Sequence, residues 1–261
     1  MFKTAKENIR VNQFETIKLK EMDEVKLMNR MDHKYWFHTD FLPGLLSSVN
    51  DDYYVLEIDG QSELPYSTTY FDTQQNKMFV AHHNGKLNRY KIRRRSYVSS
   101  GICFLEIKFK NNKGRTMKRR ISSDIHSINF NEKESDFIKN SSPYSSGDLS
   151  LTLINSFSRI TLVNKNLKER CTIDLNLAYE YHEKKISLSD LVIVEIKTDG
   201  NAKSSPLAKA LNEERIRAAG FSKYCVGRTV TDPYLKRNYF KNKIRRIEKT
   251  IRSGVNLYQN I

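Results

Sequence analysis

The chain has 261 residues, 38% hydrophobic and 11% aromatic, with 45 Lys and Arg against 30 Asp and Glu for a net charge of +15. That is enough apolar material for one large domain, and a charge balance that favours phosphate-rich partners: nucleic acid, acidic membrane surfaces, nucleotides or inorganic polyphosphate. Three cysteines without a CxxC spacing indicate neither a disulfide framework nor a zinc knuckle and suit a reducing cytoplasm, and no run of about 18 apolar residues is present to span a bilayer.

Over residues 12–30, Phe14, Ile17, Leu19, Met22, Val25, Leu27 and Met28 recur loosely at helical spacing, which predicts a partly helical start. Next, RMDHKYWFHTD alternates Arg30, Asp32 and Lys34 ahead of the aromatic run Tyr35-Trp36-Phe37, the pattern of a strand that carries a cation on one face. Thr39 or Asp40 is placed to cap a helix through Leu42, Leu45, Leu46 and Val49, with Pro43 in its first turn. Residues 53–59 read as a strand, 60–65 as a turn, 66–72 (YSTTYFD) as a second strand, and 76–84 as a short helix or irregular segment.

The densest stretch follows. Residues 89–120, RYKIRRRSYVSSGICFLEIKFKNNKGRTMKRR, hold twelve Lys or Arg against a single acid, Glu106. On a strand of period two, Arg89, Lys91, Arg93 and Arg95 share one face and Tyr90 and Ile92 the other; after a turn at Ser99-Ser100-Gly101, Glu106, Lys108 and Lys110 share a face opposite Leu105, Ile107 and Phe109. A solvated outer face produces the same alternation. Like charges at every second position and across strands repel, however, so the density favours a site filled by a polyanion.

Residues 122–148 read as an insertion or loop containing a short helix over 129–140, with a Ser, Gly and Pro-rich end. Strands are predicted over 151–162, which includes Arg159, over 170–175 (RCTIDL) and over 192–198 (VIVEIKT), which repeats the Glu-Ile-Lys of FLEIKFK. Ser204-Ser205-Pro206 starts a helix expected to run through Ala219 to Gly220, and FSKYCVG follows. A basic segment over 233–261, with Lys236, Arg237, Lys241, Lys243, Arg245, Arg246, Lys249 and Arg252, is expected to be helical, either as a solvated tail or as a contact for anionic partners. The His82-His83 pair has no zinc-ligand spacing and is assigned to the surface or a loop; Tyr35, Trp36, Phe71 and Phe104 are assigned to the core. No P-loop or dinucleotide motif occurs.

Strands that repeatedly send Lys, Arg and Glu to one face imply a closed sheet with a charged lumen. On HKYWFH (33–38), YSTTYFDT (66–73), RYKIRRRSY (89–97), FLEIKFK (104–110), KRR (118–120), SFSR (156–159), RCTID (170–174), VIVEIK (192–197) and FSKY (221–224), the sequence resembles the vacuolar transporter chaperone (VTC) domain. That domain is the polyphosphate polymerase of the triphosphate tunnel metalloenzyme superfamily. The resemblance implies a single α+β domain with a tunnel core over about 30–227: a closed antiparallel β-barrel with flanking helices. It also implies a Mn²⁺- or Mg²⁺-dependent transfer of the γ-phosphoryl group of ATP onto a growing polyphosphate chain.

Carried over by position, Lys34, Arg93, Arg95, Lys108, Lys118, Arg120, Arg159 and Lys223 look like phosphate-contacting cations and Glu195 like the metal carboxylate. Arg170 with Asp174 looks like an orienting pair, and Lys91, Lys197, Arg89 and Glu106 are expected to face the tunnel. The acidic ExExK signature of many tunnel hydrolases is replaced here by RMDHK, which fits the polymerase branch better. Triphosphate hydrolysis, non-catalytic binding of polyphosphate or inositol phosphates, and nucleic-acid binding are the alternatives. Nucleic acid fits least, because carboxylates in a phosphate groove weaken binding unless a metal joins them. ATP and polyphosphate are the implied partners; a membrane-bound partner is not identified by the sequence.

Overall fold

A computed structural model describes residues 11–22, 30–124, 127, 129–199, 204–251 and 257, with Arg30, Met31 and Asp199 described in backbone only. The strands are β1 (Glu15–Ile17), β2 (Arg30–His38), β3 (Tyr53–Leu56), β4 (Glu63–Thr73), β5 (Arg89–Tyr97), β6 (Ile102–Lys110), β7 (Thr116–Ser122), β8 (Leu149–Asn164), β9 (Glu169–Tyr181), β10 (Lys184–Leu188) and β11 (Leu191–Asp199). The helices are α1 (Leu19–Met22), α2 (Leu42–Ser47), α3 (Lys77–His83), α4 (Glu132–Ser141), α5 (Pro206–Glu213), α6 (Lys223–Thr231) and α7 (Lys241–Ile251). Contacts group the chain into two compact units, one over 1–64, 158–177 and 188–221, the other over 65–157, 178–187 and 222–261.

In the first unit the hydrogen-bonded order is β2-β11-β9-β8, with β3 on β8 and β1 parallel to β3. Register places Lys34 opposite Glu195 and Asp32 opposite Lys197 on β11, which in turn sets Glu195 opposite Thr172 and Lys197 opposite Arg170 on β9. Because strand side chains alternate, the neighbouring residues Tyr35, Phe37, Val192, Val194, Ile196, Cys171, Ile173 and Leu175 all fall on the other face. There they form one core with Leu42, Leu45 and Leu46 of α2 and Leu207 and Leu211 of α5. The sheet is thus apolar on one side and charged on the other.

The second unit repeats this division. Its order is β8-β4-β5-β6-β7, with β10 on β9. Arg93 lies opposite Glu106 and Lys91 opposite Lys108; Glu106 lies opposite Arg120 and Lys108 opposite Lys118. The reverse face contributes Phe71, Ile92, Leu105 and Ile107 to a core completed by Met78 of α3 and Ile138 of α4. Gly101 closes the β5–β6 turn at φ 64, a left-handed conformation that glycine adopts without a Cβ penalty. Gly227 answers a different need: a Cβ there would come within 2.5 Å of Leu153 Cδ2 and Tyr179 Cδ1, so only glycine lets α6 approach so closely.

Several expectations change. The fold is α+β with a large, mainly antiparallel sheet and flanking helices, but the sheet is not closed by hydrogen bonds: among the described residues β2 and β7 are not paired with each other. Alternating charge does not by itself demand closure, because an edge strand can instead be protected by charge, and β7 carries Lys118, Arg119 and Arg120 at exposed positions. The helix after β2 is not capped by Thr39 or Asp40; a 3₁₀ turn over Thr39–Phe41 comes first, with His38 Nδ1 accepting the Asp40 N–H at 3.2 Å.

β3 stops at Leu56, before the positive-φ pair Asp59 and Gly60. α5 stops at Glu213, short of Ala219, because Glu213 and Glu214 oppose the negative end of the helix and Arg215 turns left-handed at φ 57. FSKYCVG instead opens α6, whose N-cap Ser222 accepts the Cys225 N–H. The predicted helix at 12–30 resolves into a 3₁₀ turn, β1 and α1, and residues 23–29 lie outside the described residues. Arg252 lies outside them too.

His83 is not at the surface. It is buried, its Nδ1 within 3.0 Å of Asn84 Oδ1 and its Nε2 accepting the Tyr239 N–H at 3.2 Å. Among the described residues no helix is long and apolar enough to cross a membrane.

Candidate anion-binding sites

In the first unit, adjacent strands bring Lys34, Glu195 and Lys197 into contact. Lys34 Nζ lies 2.7 Å and Lys197 Nζ 3.6 Å from the same oxygen, Glu195 Oε1. Burial alone would push the Glu195 carboxyl up, but Lys197, Lys34 and Arg159 outweigh it and hold it well below the usual carboxylate range. Lys197 is brought down to about 8, by burial first, with Arg159 and Arg170 lowering it further and Glu195 and Asp32 opposing them. Beside this pair, Arg159 grips Asp174 with a two-point fork, Nε to Oδ1 at 2.6 Å and Nη2 to Oδ2 at 2.9 Å.

In the second unit the site is organised around Glu106, which is fully buried. Arg93 donates to its Oε2 from Nε (2.9 Å) and Nη2 (2.7 Å), and Lys118 pairs with its Oε1. Burial would raise the Glu106 carboxyl; Arg93, Arg95 and Lys118 reverse that and hold it at about 2. Lys108 has no hydrogen bond or ion pair among the described residues, and its ammonium is pushed well down, by Arg93 first, then burial and Arg95. Burial also lowers Lys118. Four cations thus crowd one carboxylate. The Arg120 guanidinium lies 4.4 Å over the Phe104 ring, Lys223 Nζ 4.6 Å over Phe157, and Lys91 Nζ donates to Ser222 Oγ at 3.2 Å.

Each sequence-predicted residue therefore sits on a charged strand face or, for Lys223, at the first turn of α6, in one or other of the two units. Arg170 lies opposite Lys197, and it is Arg159 that takes Asp174 in a fork.

One supporting residue was missed. Arg94 breaks the alternation by standing on the apolar face of β5, where it donates to Glu134 Oε2 (2.8 Å), to the Asn129 carbonyl (2.7 Å) and to the Ser127 carbonyl, beneath the Phe130 ring at 4.9 Å. That clamp fastens the 122–148 segment and α4 to the strand between Arg93 and Arg95. A cation at an apolar register position was the signal, since a buried guanidinium requires an acid partner.

Among the described residues no three His, Cys, Asp or Glu side chains group to hold a metal. A Mg²⁺ or Mn²⁺ ion that shares its shell with phosphate oxygens needs only one or two carboxylates. Glu195 is a carboxylate of that kind on the charged face of the first unit, with Lys34 and Lys197 beside its Oε1.

A model of the VTC domain matches residues 29–231. No curated protein matches the chain. Among solved structures, a candidate adenylate cyclase from Bacillus halodurans aligns at 12% identity over 75% of this chain and 96% of its own, with a TM-score of 0.49. A candidate adenylyl cyclase from Hippeastrum with a dominant triphosphatase activity aligns at 15% identity over 76% and 95%, with a TM-score of 0.48. A conserved hypothetical protein from Pyrococcus furiosus aligns at 11% identity over 72% and 95%, with a TM-score of 0.40.

Proposed function

The chain belongs to the VTC domain family, and from that membership and its charged strand faces we propose that it is a polyphosphate polymerase. It transfers the γ-phosphoryl group of ATP onto an inorganic polyphosphate chain, with the charged strand faces of each unit as phosphate-binding surfaces. The observation that carries this reading is the surplus of cations around Glu106: Arg93, Arg95, Lys108 and Lys118 share a single carboxylate, and their mutual repulsion depresses Lys108. Such a cluster is unfavourable empty and favourable around a polyanion.

Phosphoryl transfer asks little covalent chemistry of a protein; its barrier falls when donor and acceptor are held in line and the transferred oxygens are neutralised. Arg93, Arg95, Lys108, Lys118, Arg159 and Lys34 supply that neutralisation. Arg120, Lys91, Lys197, Arg170 and Lys223 extend the contact to neighbouring phosphates. Glu106 and Asp174 preset the long Arg93 and Arg159 side chains in rotamers that face the ligand. Glu195 would hold the divalent ion, and that ion, when bound, supplies further charge neutralisation on phosphate oxygens.

The test is incubation with ATP and Mn²⁺ followed by gel electrophoresis. ADP with a phosphate ladder is expected. Free phosphate without a ladder would replace synthesis by hydrolysis, and the absence of both products would leave a binding domain.

A further inference from the structure

The cations of β5 do not end at the Glu106 cluster. Arg95, Arg93, Lys91 and Arg89 recur at every second residue on one face, so at about 3.3 Å per residue the row extends roughly 20 Å. Its far end meets α3 and α6: Lys91 Nζ donates to Ser222 Oγ, the cap of α6, and Arg89 Nη1 donates to the Lys86 carbonyl at 2.7 Å. α7 is fastened at this end as well. Phe240, which leads into it, packs at 5.8 Å on both Phe79 and His83 of α3, His83 Nε2 accepts the Tyr239 N–H, and Ile244, Ile247 and Ile251 are buried.

Helical spacing then sorts the cations of α7. Lys243 is half-buried at the edge of the isoleucine stripe and Arg246 lies one turn on, exposed, on the same side as Lys243, whereas Arg245 and Lys249 are exposed farther round the helix from Lys243. With Phe240 packed on α3, the Cys225 thiol and the His82 imidazole each feel Arg89 and Lys91 of β5 together with Lys243 of α7. His82 adds no charge there, because burial first and then those cations hold it at about 2.

We propose that the polyanion surface of this unit continues from the β5 row past His82 onto Lys243 and Arg246 of α7, so that it seats a long linear polyphosphate chain, whereas the Glu106 cluster by itself seats only a short one. This rests on the polyphosphate reading above. A linear polyphosphate repeats one charged unit without any other recognisable feature, so a second row of spaced cations adds affinity only for chains long enough to reach it. Lysine suits that extension, because its ammonium binds phosphate as a point charge without fixing the chain in one register.

The experiment compares the affinities of tripolyphosphate and of polyphosphate about a hundred phosphates long, in the full chain and in a Lys243→Gln/Arg246→Gln double variant. Tripolyphosphate affinity should stay within about twofold while long-chain affinity falls at least tenfold, with a shallower salt dependence. Unchanged long-chain affinity, or an equal loss for both ligands, overturns the proposal. An Arg245→Gln/Lys249→Gln variant should behave as the parent; an equal long-chain loss there would mean diffuse attraction and also overturns it. Arg246→Gln alone, at an exposed position, gives the same comparison if the double variant folds poorly. Failure of the parent to bind tripolyphosphate would instead sink the reading of the site itself.

Discussion

Replacing Lys108 by methionine should make the ligand-free protein more stable and its site worse. Lys108 lies between Lys91 on β5 and Lys118 on β7, directly opposite both in register. Like charges opposed across strands cost roughly 0.2–1 kcal/mol per pair, so removing both pairs, with the stem volume kept by Met, should gain about 1 kcal/mol. For a chain of this size that is a rise in melting temperature of roughly 2–4 °C. The ligand response should move the opposite way. Tripolyphosphate at a hundredfold excess over Kd adds about 2.7 kcal/mol to the parent; a tenfold weaker variant at the same concentration gains only about 1.4 kcal/mol, so its melting shift is roughly halved. Thermal melts with and without the ligand, at fixed salt, read both effects. A variant that melts several degrees lower when empty, yet is stabilised by tripolyphosphate as fully as the parent, would show that Lys108 is a structural cation and refute the site.

Glu106→Gln should destabilise at neutral pH by about 3 kcal/mol, since it strands Arg93 and Lys118 without their buried counter-charge, and added tripolyphosphate should restore part of the loss in a melting assay. The same carboxyl, held at about 2 against an ordinary 4.5, contributes stability that is present above pH 4.5 and lost as pH falls toward 2. The acid branch of the melting curve should therefore flatten in the variant. Lys197, brought to about 8, loses its charge as pH rises through that value; cyclic trimetaphosphate, which does not itself titrate there, should bind more weakly at pH 9 than at pH 7, and Lys197→Arg should abolish the drop in a titration. Glu195→Gln should remove turnover with ATP and Mn²⁺ while retaining most tripolyphosphate affinity; undiminished turnover would dismiss Glu195 as the metal carboxylate. Arg94→Met should lower the melting temperature and loosen protease resistance around α4.

The charged faces were legible because period-two alternation is local. Once β5, β6 and β11 are placed as strands, the positions of Arg93, Lys108 and Glu195 relative to their apolar neighbours follow without any tertiary information. What could not be read was decided by contacts distant in sequence. The opening of α6 at Lys223 depends on Ser222 as a cap and on the space that Gly227 leaves against Leu153 and Tyr179. The burial of His83 depends on Tyr239, 156 residues away. Closure is not local either: alternation tells which face a residue occupies but says nothing about whether the last strand finds the first.

Three of the acids among the cations, Asp174, Glu106 and Glu195, have a common logic. An array of Lys and Arg with no carboxylate would splay into solvent, and each bound phosphate would have to reassemble it at the cost of ordering several long side chains. An array with an equal number of acids would offer no field to an anion. Here Asp174 takes both prongs of Arg159, Glu106 orders Arg93 and Lys118, and Glu195 draws in Lys34 and Lys197. The cations are fixed before any ligand arrives, and the surplus charge resides in groups such as Lys108, which forms no ion pair among the described residues and only shares the field of Glu106. Preorganisation and unspent charge are separate requirements of an anion site, and these faces meet the first with carboxylates and the second with the lysine they leave over.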